Sequence, residues 1–236
     1  MSAAAAGGPE SAPPWSAGPP VPPGLQVVHA DDALLVLDNP AGLLAVPGRG
    51  EDKQDCLAAR AQAAFPDALV VHRLDMATSG LIVMARGLAA QRALNLGFEK
   101  RQVHKQYVAV VQGLLASPET DEGWGLIDLP LILDWLNRPR SIVDHEQGRP
   151  SRTRWRVLAH DATAGTTRVL LEPVTGRSHQ LRVHLQALGH PIVGDPLYAP
   201  AQETGSSSRL LLHAQRLALF HPATGTPMVF DSAPPF

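Results

Sequence analysis

The spacing of apolar and polar positions changes along the chain, and each change predicts an element. Residues 1–24 are built mostly of Ala, Gly, Pro and Ser with one charge, Glu10. Such a segment cannot bury enough apolar surface to offset the entropy of ordering it, so a disordered tail is expected. From Leu25 short apolar runs begin: 25–29 and 34–37 read as strands, with turns marked by Ala41-Gly42 and Pro47-Gly48. Asp55 is placed to cap a helix over 56–65, which Pro66 ends. Strands are predicted at 69–72 and 80–85, on either side of the stretch from Arg73 to Ser79, followed by a helix over 88–99 and a β-rich run at 104–111. Residues 113–150, with four prolines, read as irregular. Strict alternation returns at 152–158, where Arg152, Arg154 and Arg156 share one wet face. A strand at 169–172, a helical pattern at 178–188 and strands at 210–219 and 228–230 complete the chain. Strands outnumber helices and come in runs without regular βαβ alternation. The expected fold is α+β, a mixed, largely antiparallel sheet flanked by helices and loops.

Composition narrows the class. At 236 residues, 44% hydrophobic and 18% charged, the chain is of globular type and long enough for one domain or two small ones. No apolar run approaches the roughly 18 residues of a membrane span, so no membrane role is expected. The first basic residue is Arg49, which leaves the N-terminus without the charge pattern of a secretory or transit peptide. With the single cysteine, Cys56, this points to the cytoplasm and excludes an internal disulfide or a cysteine-based zinc site. The net charge of −2 hides an uneven distribution. Residues 115–134 carry five carboxylates and no base, whereas 138–156 carry six arginines against Asp144 and Glu146. The excess of arginine over lysine fits a GC-rich genome as well as it fits selection for phosphate forks. Repeats, P-loops and dinucleotide fingerprints are absent.

Three segments carry candidate chemistry. In His72-Arg73-Leu74-Asp75-Met76-Ala77-Thr78-Ser79-Gly80 a carboxylate stands at a strand end, before hydroxyls and loop backbone able to hold it facing a cleft; alone, such an Asp is equally a local turn acceptor. In Gly176-Arg177-Ser178-His179-Gln180-Leu181-Arg182-Val183-His184 an arginine near a helix start is positioned to pair with a buried carboxylate. His179 and His184 are five apart, so on a helix they diverge by about 140°, unlike the i, i+4 pair of a zinc helix. Lys105-Gln106-Tyr107 heads a strand, and Tyr107, one of two tyrosines with Tyr198, reads equally as a core aromatic. Ser79 has no general base near it in sequence, and no hydrolase elbow is present.

Together these segments resemble the RluA family of pseudouridine synthases. The resemblance rests on His72-Arg73-Leu74-Asp75 with Thr78-Ser79-Gly80, on Lys105-x-Tyr107, on the 176–184 segment and on Gly189-His190-Pro191-Ile192-x-Gly194-Asp195, and it runs from about Leu25 to Phe236. Seven fixed residues in the first motif arise by chance at about one in 10⁹ per position. Val46-Pro47-Gly48-Arg49, Asp134-Trp135-x-Asn137-Arg138-Pro139 and Leu210-Leu211-Leu212-His213-Ala214 point to the branch after which the family is named. One departure stands out: Asp38-Asn39-Pro40 lacks the lysine that the family usually carries at Asn39.

The resemblance implies a pseudouridine synthase catalytic domain over 25–236, without the S4-like domain of several relatives. It implies isomerisation of uridine to pseudouridine in RNA, with no cofactor and no metal. Asp75 is the implied nucleophile, Arg182 its salt-bridge partner, and Tyr107 the residue that stacks on the detached uracil or assists proton transfer. An Asp is already ionised at neutral pH, whereas a phenol of pKa about 10 is a poor base unless shifted. A uridine inside a folded loop must be flipped out to react, and Arg73 is placed by the resemblance to fill the vacated space. His72, Thr78, Arg177 and His179 are further candidate RNA contacts, and Arg138, Arg140, Arg152, Arg154 and Arg156 candidate phosphate contacts, unless the last three form an ordinary solvated strand face. The implied substrates are a 23S rRNA hairpin and a tRNA anticodon stem-loop, acted on by a monomer. Alternatives are an rRNA-only synthase of the same family, a non-catalytic RNA-binding or chaperone protein, and an unrelated carboxylate-nucleophile hydrolase.

Overall fold

The computed structural model describes residues 24–200 and 207–236, so the tail expected over 1–24 lies, except for Gly24, outside the described residues. The elements run β1 (Gln26–Ala30), β2 (Leu34–Asn39), α1 (Leu57–Ala64), β3 (Ala68–Val70), β4 (Ser79–Arg86), α2 (Gly87–Glu99), β5 (His104–Gln112), β6 (Gly125–Asp128), β7 (Leu131–Leu133), β8 (Ser141–Val143), β9 (Arg152–Asp161), β10 (Thr166–Pro173), α3 (Gln180–Ala187), β11 (Leu212–Phe220) and β12 (Pro227–Asp231). Ten strands form one sheet in the order β1-β2-β4-β11-β5-β10-β9-β6, with β12 beside β11 and β3 beside β4; β7 and β8 form a separate hairpin. Among the strands of the described residues, β11 and β4 form the one parallel pair. The α+β, mixed and largely antiparallel architecture is thus the one expected.

The sheet is covered on both sides at its centre, and the sequence shows why. Along β2 and β4 the residues alternate between two cores: Leu35, Leu37, Ile82 and Met84 face α1, while Leu34, Val36, Leu81, Val83 and Ala85 face α2. Both faces are therefore apolar, and burial runs nearly unbroken along these strands. Leu57, Ala58, Ala61 and Ala64 of α1 close one core, and Ala90 and Leu94 of α2 the other. A third, small cluster of Leu131, Val183 and Tyr198 joins α3 to the β7–β8 hairpin.

Three details differ from the sequence reading. The cap of α1 is Cys56, whose Sγ accepts the Ala59 N–H at 3.4 Å, because the Asp55 carboxylate is engaged by Arg60 at 2.7 and 2.8 Å. The segment 113–150 is not irregular throughout: it supplies β6, β7 and β8, strands so short that propensity does not mark them between prolines. Ser79 does have an imidazole beside it, His213, brought from β11 by the parallel pairing, with Oγ to Nδ1 at 2.8 Å. Both groups are buried, the Arg209 guanidinium donates to Ser79 Oγ at 2.6 Å, and neither residue lines a cavity near Asp75. The pair ties β4 to β11 and has no access to a substrate.

Gly80 makes that pairing possible. Its φ is +111°, and a Cβ there would lie 2.4 Å from the carbonyl oxygen of Ala214 and 2.6 Å from its nitrogen. Three histidines also work as neutral struts. His72 Nε2 accepts the Val83 N–H at 3.0 Å, His184 bridges Thr153 Oγ1 (2.9 Å) and the Leu129 carbonyl (3.1 Å), and His213 bridges Ser79 and Ser232. Burial lowers the pKa of all three, His72 to about 3 with help from the charge of Lys105.

Gly80→Ala is expected to cost about 3 kcal/mol or more, strain and overlap combined, read as a lowered urea midpoint at unchanged m. Each neutral histidine binds its proton less tightly folded than unfolded, so its stabilisation is complete above the unfolded pKa of about 6.5 and is lost as pH falls below it. Urea titrations from pH 7 down to about 5 should show falling stability with proton uptake on unfolding, and His72→Gln should flatten the slope.

Candidate active site

Asp75 sits in the loop between β3 and β4, on the face of the sheet that carries α1. Its backbone is set by a turn, in which the Thr78 N–H donates to the Asp75 carbonyl at 2.9 Å. A second loop braces this one. The Gly42 N–H donates to the Met76 carbonyl at 2.7 Å, and the amide of Asn39, fully buried, donates to the carbonyls of Pro40 (3.1 Å), Leu43 (3.4 Å) and Thr78 (3.5 Å). Asn39 thus ties these loops together from the interior, where a lysine's charge would be costly to bury.

The carboxylate of Asp75 is a quarter exposed and faces two cationic or ionisable side chains from the start of α3: Arg182 Nη1 at 3.8 Å and His179 Nε2 at 3.9 Å. Arg182 is nearly fully buried, and its tight partner is not Asp75 but Asp195, which accepts from Nε and Nη2 at 2.7 Å each. Burial works against its charge, and the Asp195 carboxylate outweighs that, so the guanidinium is held as a cation. Asp195, buried at the turn after α3, also accepts the Leu197 and Tyr198 N–H groups at 2.9 and 3.1 Å. Gly194 before it has φ +74°, and a Cβ there would lie 2.0 Å from the Arg209 carbonyl oxygen. The salt bridge implied for Arg182 and Asp75 is therefore the looser half of a three-residue arrangement. Asp195 was the functional partner that sequence reasoning passed over, although it stood in the Gly194-Asp195 motif.

His179 caps α3 in the left-handed conformation, φ 55°. The Tyr198 hydroxyl accepts the Ser141 N–H at 2.8 Å and lies 2.7 Å from His179 Nδ1. With the phenol donating to Nδ1, the neutral ring carries its proton on Nε2, the side facing Asp75. Burial lowers the His179 pKa, opposed by the charge of Asp75. Tyr107, buried in β5, lines the same cavity, and burial together with the charge of Asp75 pushes its phenol well above the ordinary tyrosine value. It is a neutral hydroxyl on an aromatic wall at working pH, not a base.

The cavity has a volume of about 450 Å³, within the range of small-molecule sites. The structure brings to it His72, Arg73, Asp75, Thr78, Tyr107, Arg177, His179 and Arg182. Arg73 and Arg177 are exposed at its mouth, whereas His72 accepts a structural bond from Val83, and Thr78 is buried with its backbone bonded to Asp75 and Asn39. The remaining arginines lie elsewhere. Arg138 stacks on Trp135 (4.7 Å) and Arg140 on Tyr198 (5.4 Å), behind His179. The wet face of β9 is not the open row of cations expected: Arg152 pairs with Asp128 at 2.8 Å, Arg154 pairs with Glu172 at 3.0 Å, and Arg154 and Arg156 both pack on the Trp124 ring. Their carboxylate partners come from neighbouring strands, which sequence spacing does not reveal. Among the described residues no group of three or more His, Cys, Asp or Glu side chains is placed to hold a metal ion.

Comparison with known proteins agrees with this geometry. The family profile described as RNA pseudouridylate synthase matches residues 33–187. The chain is 49% identical over 218 residues to the dual-specificity RNA pseudouridine synthase RluA of Escherichia coli K12, covering 92% of this chain and 97% of that one. It is 50% identical over 204 residues to the protein of the same description from Yersinia pestis, covering 86% and 96%. The solved structure of human RNA pseudouridylate synthase domain containing 1 superposes with a TM-score of 0.73 at 30% identity, covering 90% of this chain and 84% of that one. Human RNA pseudouridylate synthase domain containing 4 shares the fold, with a TM-score of 0.66 at 24% identity over 89% and 88% of the two chains. Since the profile and the near-half identity both span the segments that build the cavity around Asp75, the chain belongs to the RNA pseudouridylate synthase family.

Proposed function

We propose that this protein isomerises specific uridines to pseudouridine in structured RNA, in both a large-subunit (23S) rRNA hairpin and a tRNA anticodon stem-loop, as a cytoplasmic monomer whose catalytic domain spans residues 25–236. The observation that carries the reading is Asp75: an accessible carboxylate in a cavity of about 450 Å³, opposite a buried arginine and sharing that cavity with a buried aromatic. The dual specificity in the names of the bacterial relatives supports a pair of RNA substrates.

In the reaction the N1–C1′ bond breaks, uracil turns, and C5 bonds to C1′. C5 loses a proton and N1 gains one, so the product is an isomer. Asp75 serves as the nucleophile, and its charge is favoured by Arg182, whose third nitrogen is all that Asp195 leaves free. Tyr107 offers a face on which the detached base can stack while it turns. Because its phenol is held neutral, its part in any proton step is to donate or relay. Arg73, exposed at the mouth two residues before Asp75, has a planar cation suited to filling the gap that the flipped uridine leaves in the RNA.

Tritium release from C5-labelled uridine in unmodified transcripts of both hairpins, with no added metal or cofactor, tests the reading. Wild type should release from both. Asp75→Asn should lose at least about 10³-fold in kcat with its thermal unfolding unchanged. Release from rRNA alone removes the dual specificity and keeps the chemistry, whereas silence with binding retained favours the non-catalytic alternative. Asp195→Asn should lower kcat by roughly 10- to 100-fold with KM little changed, since the RNA surface is untouched and only the aim of Arg182 is lost. It should also destabilise the fold by about 3–5 kcal/mol, as one partner of a buried pair is removed, so the assay belongs well below the melting temperature.

A further inference from the structure

Lys105 stands where the catalytic cavity passes into a second one. The second cavity, about 630 Å³, shares Phe98, Lys105, Pro173, Thr175, Gly176 and Arg177 with the first, so the two adjoin along one surface. Beyond that junction it is lined by Arg101, His104, Arg154 and Arg216, against the carboxylates of Glu99 and Glu172. Two of these cations are already paired, Arg154 with Glu172 and Arg216 with Asp231. Among the described residues Arg101, Lys105 and Arg177 have no carboxylate within salt-bridge distance.

The ammonium of Lys105 is the unusual one. It is half-buried with no carboxylate of the described residues within 4.0 Å, and His72, held neutral partly by that charge, and Arg177 line the same junction. Its one favourable contact is the Phe98 ring, 5.7 Å from Nζ. Burial lowers its pKa. Taking a cation out of water beside an aromatic ring, with no anion, is unfavourable unless a ligand supplies one. Gly176 faces it across the junction: a Cβ there would come to 3.9 Å from Nζ. Arg101, at the outer end, follows the last turn of α2 with φ 57° and projects into solvent.

A nucleotide flipped into the catalytic cavity leaves its phosphodiester at the rim, and the chain must continue from there. A compact cation at the junction is suited to one phosphate, and unpaired cations spaced along the groove to the next ones. We infer that Lys105 anchors the backbone phosphate of the flipped nucleotide, and that the second cavity carries the adjoining RNA strand, with Arg101 as its outer phosphate contact. This inference rests on the proposed synthase reading.

The test uses Lys105→Met and Arg101→Ala in the full-length protein, with the rRNA hairpin as probe. Removing a half-buried charge in favour of a side chain of similar length should leave thermal unfolding unimpaired. Binding is read by fluorescence anisotropy across a salt series, apart from turnover. Lys105→Met should weaken binding by about 10-fold or more, and Arg101→Ala by about threefold or more, each lowering the log K against log salt slope by about 0.7–0.9. Turnover of Lys105→Met should show the loss in KM, with kcat within about threefold. Hairpins trimmed on either side of the target uridine should include one on which Arg101→Ala no longer matters. Unchanged affinity and slope in both variants overturns the inference, as does a fall in kcat at constant affinity, which would put the ammonium on the base. If wild type binds but releases no tritium while the affinity differences persist, the groove stands and the synthase reading falls.

Discussion

The fork between Arg182 and Asp195 is the interaction on which the rest of the site depends. Two of the three guanidinium nitrogens are committed to a carboxylate that is fully buried and itself held by two backbone N–H groups. An arginine fixed in this way cannot swing, so its remaining nitrogen points in one direction, toward Asp75. Its distance of 3.8 Å leaves the Asp75 carboxylate with electrostatic support but without a tight bond that would have to break before it could react. A direct bidentate pair between Arg182 and Asp75 would occupy lone pairs that the proposed nucleophilic role of Asp75 requires.

Holding Asp75 opposite that nitrogen is the work of the sheet. The loop that carries it leaves the short strand β3 and enters β4, a strand buried on both faces and clamped to β11 by the close approach at Gly80. The buried amide of Asn39 and the backbone of Gly42 fasten the loop from the other side. Neutral histidines at 72, 184 and 213 complete the bracing, each with its charge suppressed by burial. The result is a carboxylate on a loop held by hydrogen bonds from both sides, as preorganised chemistry demands.

Charge is distributed with the same economy. The basic side chains that sequence counting brings together at 138–156 are largely engaged with Asp128, Glu172, Trp124, Trp135 and Tyr198, and they build the walls behind the site. Four of the cations that have no carboxylate within salt-bridge distance among the described residues, Arg73, Arg101, Lys105 and Arg177, come from three separate segments of the chain and line the cavities that begin at Asp75. A net charge of −2 is compatible with an RNA-facing surface because what matters locally is which cations are left unpaired.

Much was legible in the residues themselves. Alternation and turn chemistry located most strands to within a few positions, because the pattern of β2, β4 and β9 follows directly from which faces are buried. The motifs around Asp75, Tyr107 and Arg182 pointed, through the family resemblance, to residues that the structure gathers around one cavity. Sequence could not show that Asp195 rather than Asp75 grips Arg182, that Ser79 meets His213 134 residues away, or that Arg152 and Arg154 are neutralised by neighbours. Those pairings join residues from different elements, and spacing along one segment carries no information about them. Local composition determines which element a segment forms and which groups it presents; only the packing of sheet, loop and helix decides which charge meets which, and so which carboxylate is left free to act.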